Sequence, residues 1–180
     1  MKIRVKKYTD LSLARKAIEK TARNLKESQA TLKQIYTWEH SPIRTQMFFI
    51  DMDDIPTFVS VHSVRHKIWV EHFVTSNRPD RGGDENIDRH SPVDHGMWCN
   101  AQALINMARA RLCYKASPET REIMLEIKEA VREIDPDLAW AMVPNCVYRG
   151  GVCVEPKPCG KYRVRKYRGE EDEKEMRVKG

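Results

Sequence analysis

The sequence predicts an α+β fold, in which several amphipathic helices pack with strands. Three observations point there. Residues 2–8 alternate charged and apolar side chains (Lys2, Ile3, Arg4, Val5, Lys6), the period of a half-buried edge strand. Gln46–Met52 reads Gln-Met-Phe-Phe-Ile-Asp-Met, a short apolar run of the kind that forms a buried strand. Elsewhere, apolar residues recur at helical spacing between start and stop signals. With 180 residues, 41% hydrophobic and 32% charged, the chain has the size and composition of one folded domain. We place that domain at residues 1–160 and a charged, flexible tail at 161–180.

The elements follow in order. Leu11 to about Leu25 reads as a helix, with Leu13, Ala14, Ala17, Ile18 and Ala22 on one stripe. Thr31–Trp38 is a second, shorter helix, ended by Glu39-His40-Ser41-Pro42. After the strand at 46–52, Asp54 suits a helix cap and Pro56 a first turn, so a helix is expected through Phe58, Val61, Arg65, Ile68 and Trp69. Asn77–Asp94 is rich in Pro, Gly, Asp and Arg and reads as a loop, of a length that usually carries function or disorder. Met97–Cys113 is helical, with Trp98, Ala101, Leu104, Ile105, Ala108 and Leu112 in phase. Ser117 caps the next helix and Pro118 starts it; Ile123, Met124, Ile127, Val131 and Ile134 form its apolar face, and Asp135-Pro136 stops it. Leu138–Val143 is a helical turn, and 144–160 is rich in Cys, Pro and Gly. There is no internal repeat.

A net charge of +6 favours anionic partners: nucleotides, nucleic acid or a membrane surface. No apolar run approaches the ~20 residues of a membrane span. The N-terminus, Met1-Lys2-Ile3-Arg4-Val5, lacks a signal-peptide core. Five cysteines, an odd number, suit a reducing compartment. The expectation is a cytoplasmic protein with no membrane attachment.

Two constellations carry chemistry. Arg65-His66-Lys67 places an imidazole between fixed cations. On a helix these three point about 100° apart. Such a trio suits a cofactor lying across a helix end or a subunit interface; otherwise it is a solvated surface. Asn100 and Arg111 lie eleven residues apart, three helical turns plus about 20°, and so share a face at a separation of ~16 Å. An amide and a guanidinium so placed could grip two parts of an extended ligand, and arginine's planar fork suits phosphate. The alternative is that Asn100 caps the helix start and Arg111 is exposed.

The segment Asn100-Ala101-Gln102-Ala103-Leu104-Ile105-Asn106-Met107-Ala108-Arg109-Ala110-Arg111 resembles the Asn-Ala-Arg-Ser-Leu-x-x-Phe-x-x-x-Arg segment of flavin-dependent thymidylate synthases, the ThyX family. Upstream, Arg65-His66-Lys67 and Ser76-Asn77-Arg78 resemble that family's Arg-His-Arg-x-x-Ser-x-Asn-Glu-x-Ser-x-Arg-Tyr signature. His40-Ser41-Pro42, the Phe-rich strand, Pro56 and Glu122-Ile123 follow the family's order, over about residues 30–135. The resemblance implies an antiparallel sheet packed with several helices. It also implies transfer of a one-carbon unit from methylenetetrahydrofolate to a pyrimidine deoxynucleotide monophosphate such as dUMP. Hydride would come from NADPH through FAD, at sites formed between protomers of a homotetramer. Carried over by position, Arg65, His66, Lys67 and Asn100 would contact the flavin. Ser76, Arg78 and Arg111 would hold the nucleotide, Arg89 being the loose candidate for a further phosphate-binding arginine. Ser76 and Glu71 are the catalytic candidates, Glu71 being the only carboxylate near the place of the signature's Glu.

The chain differs from the signature at its second arginine, here Lys67, and through Val70, His72, Phe73 and Pro79. These changes fall at the pyrimidine end more than at the cofactor end. A different nucleotide or product, or an inactive flavin- and nucleotide-binding relative, is therefore an alternative reading.

Three readings lie outside the resemblance. Cys146, Cys153 and Cys159, among Gly150, Gly151 and Gly160, are candidate zinc ligands, with Cys113, Cys99 or a histidine as the fourth; a disulfide or free thiols are the other readings. His62 and His66 also share a helix face at a spacing used by metals. The tail, Lys161-Tyr162-Arg163-Val164-Arg165-Lys166-Tyr167-Arg168, interleaves cations with tyrosines, a pattern that can bind nucleic acid. The acids that follow from Glu170 would compete, so a nucleic-acid-binding protein with a Cys-stapled C-terminal segment is the less favoured alternative.

Overall fold

The computed structural model describes residues 1–23, 26–84 and 86–166. The fold is α+β: a four-stranded antiparallel sheet with helices on one face. The strands are β1 (Lys2–Lys7), β2 (Met47–Pro56), β3 (Val70–Val74) and β4 (Pro92–Asn100), in the order β1-β2-β4-β3. The helices are α1 (Leu11–Thr21), α2 (Leu32–Trp38), α3 (Thr57–Ser63), α4 (Ala101–Arg111), α5 (Pro118–Ile134), α6 (Pro136–Ala141) and α7 (Asn145–Tyr148). A short 3-10 turn, Ser41–Thr45, leads into β2.

Alternation in the strands builds the core. Phe48, Ile50 and Met52 of β2 face inward and are fully buried, as are Met97 and Cys99 across the ladder on β4. Each fully buried side chain of this size removes apolar surface worth roughly 1.5–3 kcal/mol from water. The caps follow the sequence. Thr31 and Gln34 form a reciprocal capping box, Ser117 caps α5, and Asp135 ends α5 while capping α6. The Asp135 carboxylate is buried and accepts from Lys7 Nζ at 2.6 Å, Tyr36 Oη at 2.6 Å and the Leu138 amide at 3.0 Å. That hub ties β1 and α2 to the α5–α6 junction. On the outer sheet face, Phe49 crosses Gly96, where an added Cβ would stand 2.9 Å from the ring.

Three expected elements are corrected. The helix expected from Asp54 through Trp69 is the two-turn α3 alone, with Pro56 at its N-terminal boundary. Asp54 instead sits in a bulge of β2 with φ 56°, its amide donating to Asp94. The helical stripe fails beyond Ser63 because Ile68 and Trp69 face solvent, and Trp69, at φ 62°, turns the chain into β3. The helix expected from Met97 begins only at Ala101. Met97, Trp98 and Cys99 pair with both β2 and β3, so the ladder takes the backbone groups that a helix would need. The loop expected to reach Asp94 ends at Pro92, where β4 starts.

The first helix ends at Thr21; Asn24 and Leu25 lie outside the described residues. Of the expected tail, Arg165–Lys166 form a two-residue strand, β6, parallel to β5 (Val152–Cys153), and 167–180 lie outside the described residues. Among the described residues no helix is long and apolar enough to cross a membrane.

Candidate functional site

Arg65-His66-Lys67 occupies the turn between α3 and β3, which lets all three side chains reach one region as a helix would not. The turn is pinned from two sides. From α4, Arg111 donates Nε–H to His66 Nε2 at 3.0 Å and a terminal N–H to the His62 carbonyl at 2.8 Å. From the sheet, His72 Nε2 bonds the His66 carbonyl at 2.9 Å, and His72 Nδ1 meets Nε2 of the buried His95 at 2.9 Å.

These bonds fix the imidazoles. His66 Nε2 accepts from a guanidinium, so neutral His66 carries its proton on Nδ1. Burial, then Arg111 and His72, push its pKa down to about 4. His66 is therefore a neutral N–H donor at pH 7, with no free lone pair for general base work. His72 donates from Nε2, so its Nδ1 accepts from His95, whose own Nδ1 is buried without a partner. Burial and His72 likewise push His95 down to about 4.

A second group adjoins the turn. Arg111, Arg65 and Arg89 all stand close enough to His62 to oppose its charged form, after burial, which opposes it most. Arg111 is held below its usual value by burial and by Arg65. Among the described residues, Arg65, Lys67, Arg89 and Arg111 pair with no carboxylate. Arg89 rests over the Phe58 ring, and His62 and His90 contact the edges or face of the same ring. Ser117 Oγ–H donates to Thr120 Oγ1 at 2.8 Å, leaving the Thr120 proton to give to His62 Nδ1 at 3.0 Å. Neutral His62 then presents Nε2–H. Three guanidiniums without a carboxylate partner around an N–H donor are a donor set whose chemistry suits a phosphate. Beside it, Arg65, His66, Lys67, Val70, Ala103 and Asn106 line a cavity of about 160 Å³. A cavity of about 430 Å³ between α1, α2 and the turn at Ser41 is larger, but no cation lines it.

Other expected site residues are not drawn in. Asn100 is fully buried; its Oδ1 accepts from the Ala103 amide as the α4 cap, and its Nδ2 has no partner. It starts the helix rather than lying along a face with Arg111. Glu71 lies on the outer sheet face opposite Trp98, away from His72 and the turn. Ser76 accepts from the Arg78 amide at 3.4 Å, and Arg78 forms a two-pronged exposed pair with Asp80 at 2.9 and 2.8 Å.

Cys146, Cys153 and Cys159 line one cavity with Cys113, but all five thiols are free. Among the described residues no three His, Cys, Asp or Glu side chains could hold a metal, which corrects the zinc expectation. The Cys-x6-Cys-x5-Cys spacing lacks the tight knuckle that presets ligand geometry. His62 and His66 serve Thr120 and Arg111 instead of a metal. Cys99, the other suggested ligand, is buried in β4 with its thiol pushed up to about 12.

Sequence reading passed over His95 and Thr120, and named His72 only as a departure from the signature. His62 had a signal: it falls four residues after Phe58, on one face of α3.

No protein-family model matches the chain, and no curated protein matches it in sequence. Solved structures do. The crystal structure of the flavin-dependent thymidylate synthase ThyX from Helicobacter pylori, complexed with FAD and dUMP, is similar with a TM-score of 0.65 at 15% identity; the match covers 79% of this chain and 100% of that one. A second structure of Helicobacter pylori ThyX with FAD and dUMP gives a TM-score of 0.64 at 15% identity, over 79% of this chain and 97% of that one. At this identity the likeness shows a shared fold.

Proposed function

We propose that this chain is a flavin-dependent thymidylate synthase-like enzyme. It transfers a one-carbon unit from methylenetetrahydrofolate to a pyrimidine deoxynucleotide monophosphate, dUMP or a related nucleotide, with NADPH as hydride source. The observation that carries this reading is the uncompensated set Arg65, Arg89 and Arg111 around His62, beside His66 and Lys67, in a fold shared with proteins that hold FAD and dUMP. FAD, when bound, supplies the hydride chemistry.

The donor set fits such a ligand: phosphate for the guanidiniums, and an electron-rich ring for the His66 Nδ1–H and the Lys67 charge. Arg65 and Lys67 stabilise negative charge gathering beside the turn, and they do so more strongly where water is excluded. Arg111 holds His66 as a donor and shares its own charge with the anion. Ser76, Arg78 and Glu71, on and beyond the edge strand, would complete a site across a subunit boundary in a homotetramer.

The test begins with a visible spectrum of the protein after FAD is added. Uptake with absorption near ~450 nm is expected, and Arg89→Gln and Arg65→Gln should weaken binding of dUMP or FAD. Tritium release from 5-labelled dUMP or dCMP with methylenetetrahydrofolate and NADPH then reports transfer. A protein that takes up no FAD refutes the reading. The closed Arg78–Asp80 pair favours a second reading, a nucleotide and flavin binder without methyl transfer. Its mark is FAD uptake with no tritium release from either nucleotide.

A further inference from the structure

A second cluster of reactive side chains lies apart from this site. Cys113, Cys146, Cys153 and Cys159 line one cavity of about 240 Å³. They come from just past α4, from α7, from β5 and from the loop after it. Cys146 stands within electrostatic reach of both Cys113 and Cys153. The surrounding segment is weakly held. Its strands are two residues each, and among the described residues beyond Pro144 only Val152 and Cys153 of its hydrophobic side chains are buried. A covalent tie matters most where the core is this small.

We propose that this cavity is an oxidative modification site, at which a hydroperoxide converts Cys113 and Cys146 into a disulfide that ties the segment after Pro144 to the end of α4. Cys113, Cys146 and Cys159 are partly exposed and Cys153 is buried; Cys146 stands within electrostatic reach of Cys113, so these two form the accessible pair. Lys115 and Glu155 line the same cavity, Lys115 two residues from Cys113. Burial pushes the Cys146 thiol up, which leaves it to the second step.

Cys113 S⁻ therefore attacks the O–O bond. One oxygen stays on sulfur as a sulfenic acid, and the other leaves as hydroxide or alkoxide and takes a proton. Cys146 then attacks the Cys113 sulfur, the S–S bond forms, and the sulfenic oxygen leaves as water with the Cys146 proton. Two thiols lose two electrons and the peroxide gains them.

The test uses the full chain with stoichiometric hydrogen peroxide. Thiols titrated in denaturant should fall from the five of the sequence to three, and non-reducing peptide mapping should join Cys113 to Cys146. The thermal midpoint should rise and return with dithiothreitol. Cys146→Ser should form no disulfide and leave a dimedone-reactive sulfenic acid at Cys113, whereas Cys153→Ser should still form the 113–146 bond. An unchanged thiol count, a map joining any other pair, or a co-purifying metal that masks the four thiols overturns the proposal. None of these readouts depends on flavin or nucleotide binding.

Discussion

Replacing Arg111 with glutamine separates a fixed guanidinium from the imidazole it holds. Arg111 makes two bonds, to His66 Nε2 at 3.0 Å and to the His62 carbonyl at 2.8 Å. Hydrogen bonds from a charged donor contribute about 1.5–3 kcal/mol each, so roughly 3–6 kcal/mol is at stake before offsets. Two offsets apply: Arg111 is itself partly desolvated and repelled by Arg65, and glutamine can recover one bond. The expected net loss is about 1–2 kcal/mol, or about 2–8 °C in Tm for a domain of this size.

The substitution also acts on pH dependence. His66 is held at about 4 by burial first, then by Arg111 and His72. Removing the second cause raises its pKa, and burial keeps it below 6.5. Between these values the unfolded chain binds a proton that folded His66 refuses. Stability is therefore complete above pH 6.5 and is lost as the pH falls toward 4. The variant should lose less stability than the parent between pH 7 and 5. His95, also near 4, contributes equally to both and drops out of the difference. Thermal melts at both pH values, with long-range ¹H–¹⁵N spectra of the imidazoles, measure this. A parent His66 that titrates near 6.5, or whose neutral form carries its proton on Nε2, refutes the reasoning.

Asp135→Asn should cost about 3 kcal/mol in urea melts, because it leaves the largely buried Lys7 ammonium without its counter-charge and weakens the Tyr36 bond. His72→Phe removes the bond to the His66 carbonyl while keeping a ring against His95. Amide exchange should quicken across residues 64–69, and FAD affinity should fall where the parent binds FAD; unchanged exchange would show that Arg111 alone orders the turn. Gly83→Ala would place a Cβ 2.2 Å from the Asn77 carbonyl carbon, so the 77–83 loop must open. Exchange should rise from Arg78 to Gly83 with little change in Tm, since that loop carries none of the core.

The helices and strands whose signals are local could be read from sequence, and the site could not be read whole. Thr31 with Gln34, Ser117 with Pro118, and Asp135 with Pro136 act within one turn, so their chemistry is visible in the sequence itself. Of the misread elements, 64–69 carries Val64 and Ile68 at helical spacing around its cations, and 97–100 is a short run compatible with either period. What decides them is pairing in the sheet: Val70 lies opposite Cys99, and His72 opposite Met97, some 25 to 29 residues away in the chain.

The same non-local step assembles the site. Arg65, Lys67 and Arg111 carry charge wherever the chain puts them, and a family pattern could single them out. That His66 is a donor, however, depends on Arg111 arriving at its Nε2 and on His72 reaching back from β3 to its carbonyl. Once β3 pairs with β4, His72 and His95 are inward neighbours, and the turn before β3 must close over them. The departure from the signature at His72 is therefore part of what shapes the cationic turn. The residues that replace a known pattern and those that retain it form one hydrogen-bonded unit, so restoring the family residue at His72 alone should disturb the grip on an anion before it restores any activity.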